Sequence, residues 1–199
     1  MAIDVFAPVR IGRAASKGVA LASALAALIS LPGCSSPRET FDLSPSPPAS
    51  HVAGVVIAVD EPNAPAVLDG DRFLLRDENG ALSYLADAQW SDRLPRLVQM
   101  RLIERLERRG LRAVRAGEAA ALRLSTELRR FEIDTPRGTA IVEITARLTR
   151  DKGGATVAEA TFSGEAPAPH TIGVEAVHAY EAALDMAADR LAAWARSRR

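Results

Sequence analysis

The 199-residue chain carries 25 basic and 25 acidic side chains, 48% hydrophobic residues and one cysteine. Balanced charge excludes the basic footprint that general nucleic-acid binding needs, and a single cysteine excludes an internal disulfide and a cysteine-rich zinc site. Beyond residue 33 the chain has 166 residues, the length of one domain able to bury roughly 68–70% of its unfolded surface.

The first element in chain order is an export signal. Arg10, Arg13 and Lys17 form a positive segment, and the 14 residues Gly18 to Leu31 form an uncharged apolar run closed by Pro32 and Gly33. That run is shorter than the roughly 20 residues a helix needs to cross a bilayer core. The segment resembles the lipobox of bacterial lipoproteins: Leu31 lies three positions before Cys34 and Gly33 immediately before it, although Pro32 stands where Ala or Ser is usual. The resemblance implies a diacylglycerol on the Cys34 thiol and an acylated amine. With more than one chain in the bilayer the anchoring is stable, and no free thiol remains. Ser35, where lipoproteins retained in the inner membrane often have Asp, favours the periplasmic face of the outer membrane. Three of the 25 basic and one of the 25 acidic residues fall in positions 1–33, leaving 22 and 24, a net −2.

The chain therefore divides into a signal peptide (1–33), an acylated cysteine and tether (34–50) and a folded domain (51–199). The tether holds four prolines and five serines between residues 35 and 50 and reads as a semi-extended spacer holding the domain off the membrane. Within it, Phe41-Asp42-Leu43 suits a short edge strand. Val52 to Val59 predicts a buried strand, ended by a turn at Asp60-Glu61-Pro62-Asn63. Asp71 to Leu85 predicts a hairpin about Asp77-Glu78-Asn79-Gly80.

Ser91 and Asp92 are candidate caps for a helix from Asp92 to Arg109 that tolerates Pro95 in its first turn and stops at Gly110. Leu94, Val98, Leu102 and Leu106 form its apolar stripe, flanked by Leu97 and Ile103. Leu111 to Val114 predicts a short strand. From Leu122 the period changes to two, through Leu128, an irregularity before Phe131, and Ala140 to Leu148. A turn at Asp151-Lys152-Gly153-Gly154 returns the chain as Val157 to Gly164. A last helix starts near Val174 with Val177, Tyr180, Leu184, Ala187, Leu191, Trp194 and Ala195 inward and Glu181, Asp185 and Asp189 outward. The expected fold class is α+β: an antiparallel sheet, a meander plus N-terminal strands, packed on one side by two long helices.

Residue patterns that carry chemistry are sparse. His51, His170 and His178 lack ligand spacing, and no nucleophile elbow, phosphate loop or dinucleotide fingerprint is present. Glu127, Arg129, Glu143 and Arg147 read as cross-strand charge pairs on a wet face. The expectation is a protein that is not an enzyme and uses neither cofactor nor metal. Two features invite contact: the run Tyr84 to Leu94, whose Tyr84 and Trp90 serve either the core or a partner or lipid contact, and outer strand edges open to a strand of another subunit, making a homo-oligomer.

These residues resemble the PqiC-like group of ABC-type transport auxiliary lipoproteins. The resemblance rests on the lipobox, Phe41-Asp42-Leu43, Val55 to Val59, Pro65 to Asp69, Arg72 to Arg76, Tyr84 with Trp90-Ser91-Asp92-Arg93-Leu94, Leu122-Arg123-Leu124 and Arg130-Phe131-Glu132. It implies an accessory to an inner-membrane ABC permease and ATPase that work with an MCE-type periplasmic substrate-binding protein on phospholipid or a related lipid. Tyr84, Trp90, Asp92 and Arg93 are then the candidate partner-binding residues and Cys34 the lipidation site. A structural envelope lipoprotein assisting assembly of an outer-membrane complex, and a tethered hydrolase, are the competing readings.

Overall fold

The computed structural model describes residues 38–43, 54–150, 152–171 and 173–198. The signal peptide, Cys34, most of the tether, His51 and Asp151 lie outside the described residues. Among those described, eight strands and two helices follow in the order β1 Glu39–Phe41, β2 Val56–Val59, β3 Arg72–Arg76, β4 Leu82–Trp90, α1 Leu94–Arg108, β5 Arg112–Arg115, β6 Leu122–Asp134, β7 Thr139–Arg150, β8 Thr156–Pro167 and α2 Gly173–Ser197.

The sheet is organised around β6. One edge pairs with β7 along almost its whole length, and β7 pairs with β8, which gives the expected antiparallel meander. The ladder shifts register between Leu128 and Arg130, the irregularity expected before Phe131. The other edge of β6 is shared by two strands laid end to end, β2 beside Leu122–Leu124 and β3 beside Ile133 and Asp134, both parallel to it. β5 adds to β2 in parallel, β4 adds to β3 as the predicted hairpin, and β1 closes the far edge in parallel with β4. Four of the seven pairings among the described strands are parallel, so the plainly antiparallel sheet expected from the alternation is corrected to a mixed one. The longest ladders remain antiparallel.

The predicted turn at Asp60–Asn63 is also corrected. The chain stays extended beside β6, with Asp60 N–H donating to Leu124 O at 2.9 Å, Asn63 N–H to Thr126 O at 2.9 Å and Leu128 N–H to Asn63 O at 2.8 Å. Asp60 is held by its side chain as well, accepting from Arg123 Nη1 at 2.7 Å and Ser125 Oγ at 2.6 Å. Turn-prone residues thus yield to a neighbouring ladder that satisfies their backbone groups. The hairpin turn, in contrast, forms as read: Gly80 takes φ 79° and the Asp77 carboxylate accepts the Asn79 and Ala81 amides.

Both helices lie on one face of the sheet. Leu94, Val98, Leu102 and Leu106 are buried, as are Val177, Tyr180, Leu184, Ala187, Leu191 and Ala195. α2 meets β8 at Gly164, where a Cβ would fall 2.0 Å from Ala183 O and 2.9 Å from Ala187 N. Only glycine allows this approach, and the alanines opposite it keep the helix low on the sheet. Neither helix is long and apolar enough to cross a membrane.

Glu181, Asp185 and Asp189 do not point away as expected. They face α1: Arg101 lies 3.5 Å from Glu181 and 3.6 Å from Asp185, Arg105 pairs with Asp185 and lies 3.6 Å from Asp189, and Arg109 lies 3.9 Å from Asp189. The ladder climbs in the same direction on both helices, so they run parallel. Burial pushes the Asp185 carboxyl above its usual range, and the nearby arginines only partly offset it.

The expected caps of α1 are replaced. Arg93 occupies the N-cap position without a side-chain bond. Ser91 Oγ donates instead to Asp42 at 2.9 Å, Asp92 Oδ1 accepts from the Arg93 amide at 2.7 Å, and Gly70 O takes the Leu94 amide at 2.8 Å. Gly110, at φ 76°, ends the helix as predicted.

Candidate partner-docking surface

The run Tyr84 to Leu94 is divided by the sheet into an inward and an outward part. Trp90 is 1% exposed and stacks on Phe73 with ring centres 4.0 Å apart, with Phe131 and Tyr180 edge-on at 5.9 and 5.7 Å. Phe131 and Tyr180 stack at 5.1 Å, and Phe41 meets Phe73 edge-on at 5.9 Å. Five of the chain's nine Phe, Trp and Tyr rings therefore form one knot that joins β1, β3, β4, β6 and α2. Burial raises the Tyr180 hydroxyl far above its usual range, and Tyr180 Oη donates to Leu74 O at 2.6 Å. Of the four candidate contact residues, Trp90 belongs to this core and its side chain offers no partner surface.

Tyr84, Asp92 and Arg93 lie at the surface. The β3–β4 ladder pairs Leu74 with Tyr84 but Arg72 with Gln89, so β4 bulges over the intervening residues. Arg72 fills the bulge, donating to Leu85 O at 2.9 Å and placing its guanidinium 5.3 Å from the centre of the Tyr84 ring. Bulges re-aim side chains, and here Tyr84 is left 44% exposed, its hydroxyl donating to Val67 O at 3.3 Å.

At the other end of β4, Arg93 reaches Glu61 at 2.9 Å and also pairs with Asp69, while Arg96 lies 3.2 Å from Asp92. Neighbouring acids raise the Arg93 guanidinium pKa, the bond to Asp69 first. Val67 and Asp69 belong to the same turn segment, so Tyr84 and Arg93 are tied to one loop though they stand at opposite ends of the strand. Glu61, Asp69 and Arg72 are members of this surface that local sequence did not single out, because their partners are up to 32 positions away.

The segment ahead of the domain is fastened here as well. β1 pairs with Ala88–Trp90, Ser91 N–H donates to Phe41 O at 2.7 Å, and Arg38 Nε donates to Ala86 O at 3.3 Å. Leu43 is buried at 7% exposure.

The sheet face away from the helices carries paired charges. Arg129 lies 3.3 Å from Glu143, a cross-strand pair within the expected set, while Arg147 pairs at 2.9 Å with Glu159 of β8, outside it. Glu132 is the exception in depth: its side chain is 2% exposed, covered by Arg76 at 2.8 Å and by Arg130. Burial alone would raise its carboxyl, but the hydrogen bonds from Arg76 and Arg130 outweigh this and hold it below the usual carboxylate range. His170, Glu175 and His178 line a shallow hollow of about 400 Å³ between β8 and α2, with His170 Nε2 3.6 Å from Glu175. Among the described residues no group of three or more His, Cys, Asp or Glu is arranged to hold a metal.

The family model described as "ABC-type transport auxiliary lipoprotein component" matches residues 41–192. The chain belongs to the ABC-type transport auxiliary lipoprotein family. The match runs from Phe41, the last residue of β1, into α2 and so takes in the Tyr84–Arg93 surface. A protein of Bradyrhizobium diazoefficiens named "Uncharacterized protein bll6063" is 31% identical over 181 residues, covering 85% of this chain and 48% of its own length; the chain spans about half of that relative. Two crystal structures share the fold. Protein XCC0632 of Xanthomonas campestris, of the family DUF330, has a TM-score of 0.70 at 22% identity, covering 79% of this chain and 94% of that one. A second structure, titled only as an uncharacterized protein, has a TM-score of 0.68 at 13% identity, covering 80% and 99%.

Proposed function

We propose that this auxiliary lipoprotein is a non-catalytic docking module, anchored through acylated Cys34 at the periplasmic face of the outer membrane. Its partner is a component of an ABC-type intermembrane lipid transport system: the MCE-type periplasmic substrate-binding protein, which works with the inner-membrane permease and ATPase on phospholipid or a related lipid. The observation that carries the reading is the extent of the family match, from Phe41 at the end of β1 into the last helix.

The physical design suits such a role. One face of the sheet is covered by the two helices, while Glu61, Asp69, Asp92, Arg93 and Arg96 stand clustered at the start of α1. Such surface charges contribute little to stability and act mainly on orientation and rate of association. The test is cross-linking and pull-down from native membranes, with mass spectrometry of protein and lipid. Recovery of an MCE-type or permease subunit with phospholipid supports the proposal; recovery of a barrel protein or peptidoglycan in its place contradicts it.

A further inference from the structure

The tether is shorter than its composition suggests. Residues 35–50 read as one spacer, yet Arg38 is already bonded to Ala86 O and β1 begins at Glu39. Three residues lie between Cys34 and Arg38, and the four steps from one to the other cover at most about 14 Å in a fully extended chain. The remaining residues up to Val56 lie between β1 and β2 and add nothing to the reach. An acyl chain on Cys34 thus brings the surface around Arg38 within about 14 Å of the lipid headgroups.

The direction of β1 narrows which surface that is. β1 runs parallel to β4, with Glu39 opposite Ala88, so its start points toward the Leu82 end of β4. Among the described residues β1 covers β4 only from Ala88 to Trp90, and Leu82 to Asp87 has no strand neighbour on that side. Leu82 and Tyr84 are here, 43% and 44% exposed, two positions apart and therefore on one face of the strand. They are two of the five large apolar side chains the described domain leaves exposed. Tyrosine beside a leucine and an arginine is suited to a membrane–water boundary, where the ring is buried and the hydroxyl wet. Arg38 and Arg72 are bonded to Ala86 O and Leu85 O in this stretch of β4, and β4 and the hairpin turn before it carry Asp77, Glu78 and Asp87, a mixed charge that matches a zwitterionic headgroup layer better than a strongly anionic one.

We propose that the Leu82–Tyr84 edge of β4 is a membrane-contacting patch, seated in the zwitterionic phospholipid headgroup layer of the leaflet that holds the anchor. The domain lies against its own membrane, and the Arg93 end of β4 is turned toward the partner. The proposal rests on the acylation of Cys34 but not on the identity of the partner.

The test uses the full lipidated protein reconstituted into phosphatidylethanolamine vesicles containing a minor share of phosphatidylglycerol. Intact mass first establishes the acyl groups; a protein lacking them overturns the proposal, because the chain-length limit no longer refers to a membrane. Acylation consumes the native thiol, so Leu82→Cys, Tyr84→Cys and Ser163→Cys can each carry a polarity-sensitive fluorophore. Ser163 is exposed on β8, four strand spacings from β4 or about 19 Å. The expected result is a blue shift and loss of most emission to a nitroxide placed just below the headgroups for labels at 82 and 84, with the label at 163 unaffected. Equal solvent exposure at 82, 84 and 163 overturns the proposal, as does protection at 82 that appears only when native membrane proteins are added, since the patch then belongs to a partner. Failure of the pull-down leaves these signals unchanged and so tests a separate statement.

Discussion

Tyr84 and Trp90 stand six positions apart on one strand, yet they belong to different parts of the molecule. Trp90 faces the helices and joins an aromatic knot in which Phe73, Phe131 and Tyr180 are as deeply buried as Trp90 itself, whereas Tyr84 stands beyond a bulge on the opposite face with nearly half its surface in water. The difference is one of period. A strand sends alternate residues to opposite faces, and the bulge between them resets which face each one meets. One motif therefore supplies the core with its largest side chain and the surface with its candidate contact residues.

Substitutions on the two faces should separate stability from binding. Trp90→Ala should cost about 3–5 kcal/mol, as for large aromatic truncations in a core, read as a large fall in the denaturation midpoint. Gly164→Val should follow, at about 1–3 kcal/mol or somewhat more, because the new side chain meets the backbone of Ala183 and Ala187, which has no flexible end to yield. If Gly164→Val melts like the wild type, the close approach of α2 to the sheet is wrong.

Glu132 sharpens the contrast, since it lies on the charged face and is nonetheless buried. Glu132→Gln should cost about 1–2 kcal/mol at neutral pH, after allowing for the partial exposure of its two arginines. Its folded-state pKa is lowered, so its contribution is present above the ordinary carboxylate value of about 4.3 and is lost as pH falls toward the lower folded value. Denaturation in acid should therefore bring wild type and Glu132→Gln together. Asp185 has the opposite sign: its raised pKa means that ionising it opposes folding as pH rises through the usual carboxylate range. The smallest effect belongs to Tyr84→Ala, expected to shift stability by no more than about 0.5 kcal/mol in the same denaturation experiment.

Much of this arrangement was legible in the sequence because it is local. Asn79-Gly80 announced the hairpin, the four-residue spacing of Leu94, Val98, Leu102 and Leu106 announced the face of α1, and the break in alternation before Phe131 marked the bulge in β6. What was not legible depended on distant neighbours. Asp60–Asn63 has the composition of a turn, and only the presence of β6 alongside shows that its amides are already taken. Glu181, Asp185 and Asp189 form a polar stripe that a lone helix would turn to water. Arg101, Arg105 and Arg109 form the matching stripe on α1, and the two meet because both helices lie on one face of the sheet. The candidate site shows the same limit: Arg93 is conspicuous beside Trp90, while its partners Glu61 and Asp69 come from the extended segment and turn before β3.

The central claim is that docking uses the charged start of α1 while stability resides under the helices. The most direct measurement is paired: melting temperature and recovery of the MCE-type or permease subunit from native membranes for Arg93→Glu. The account predicts a melting temperature close to that of the wild type and loss of most of the recovered partner, since the reversal sets a fourth carboxylate among those of Glu61, Asp69 and Asp92. Full recovery of the partner at unchanged stability would contradict it.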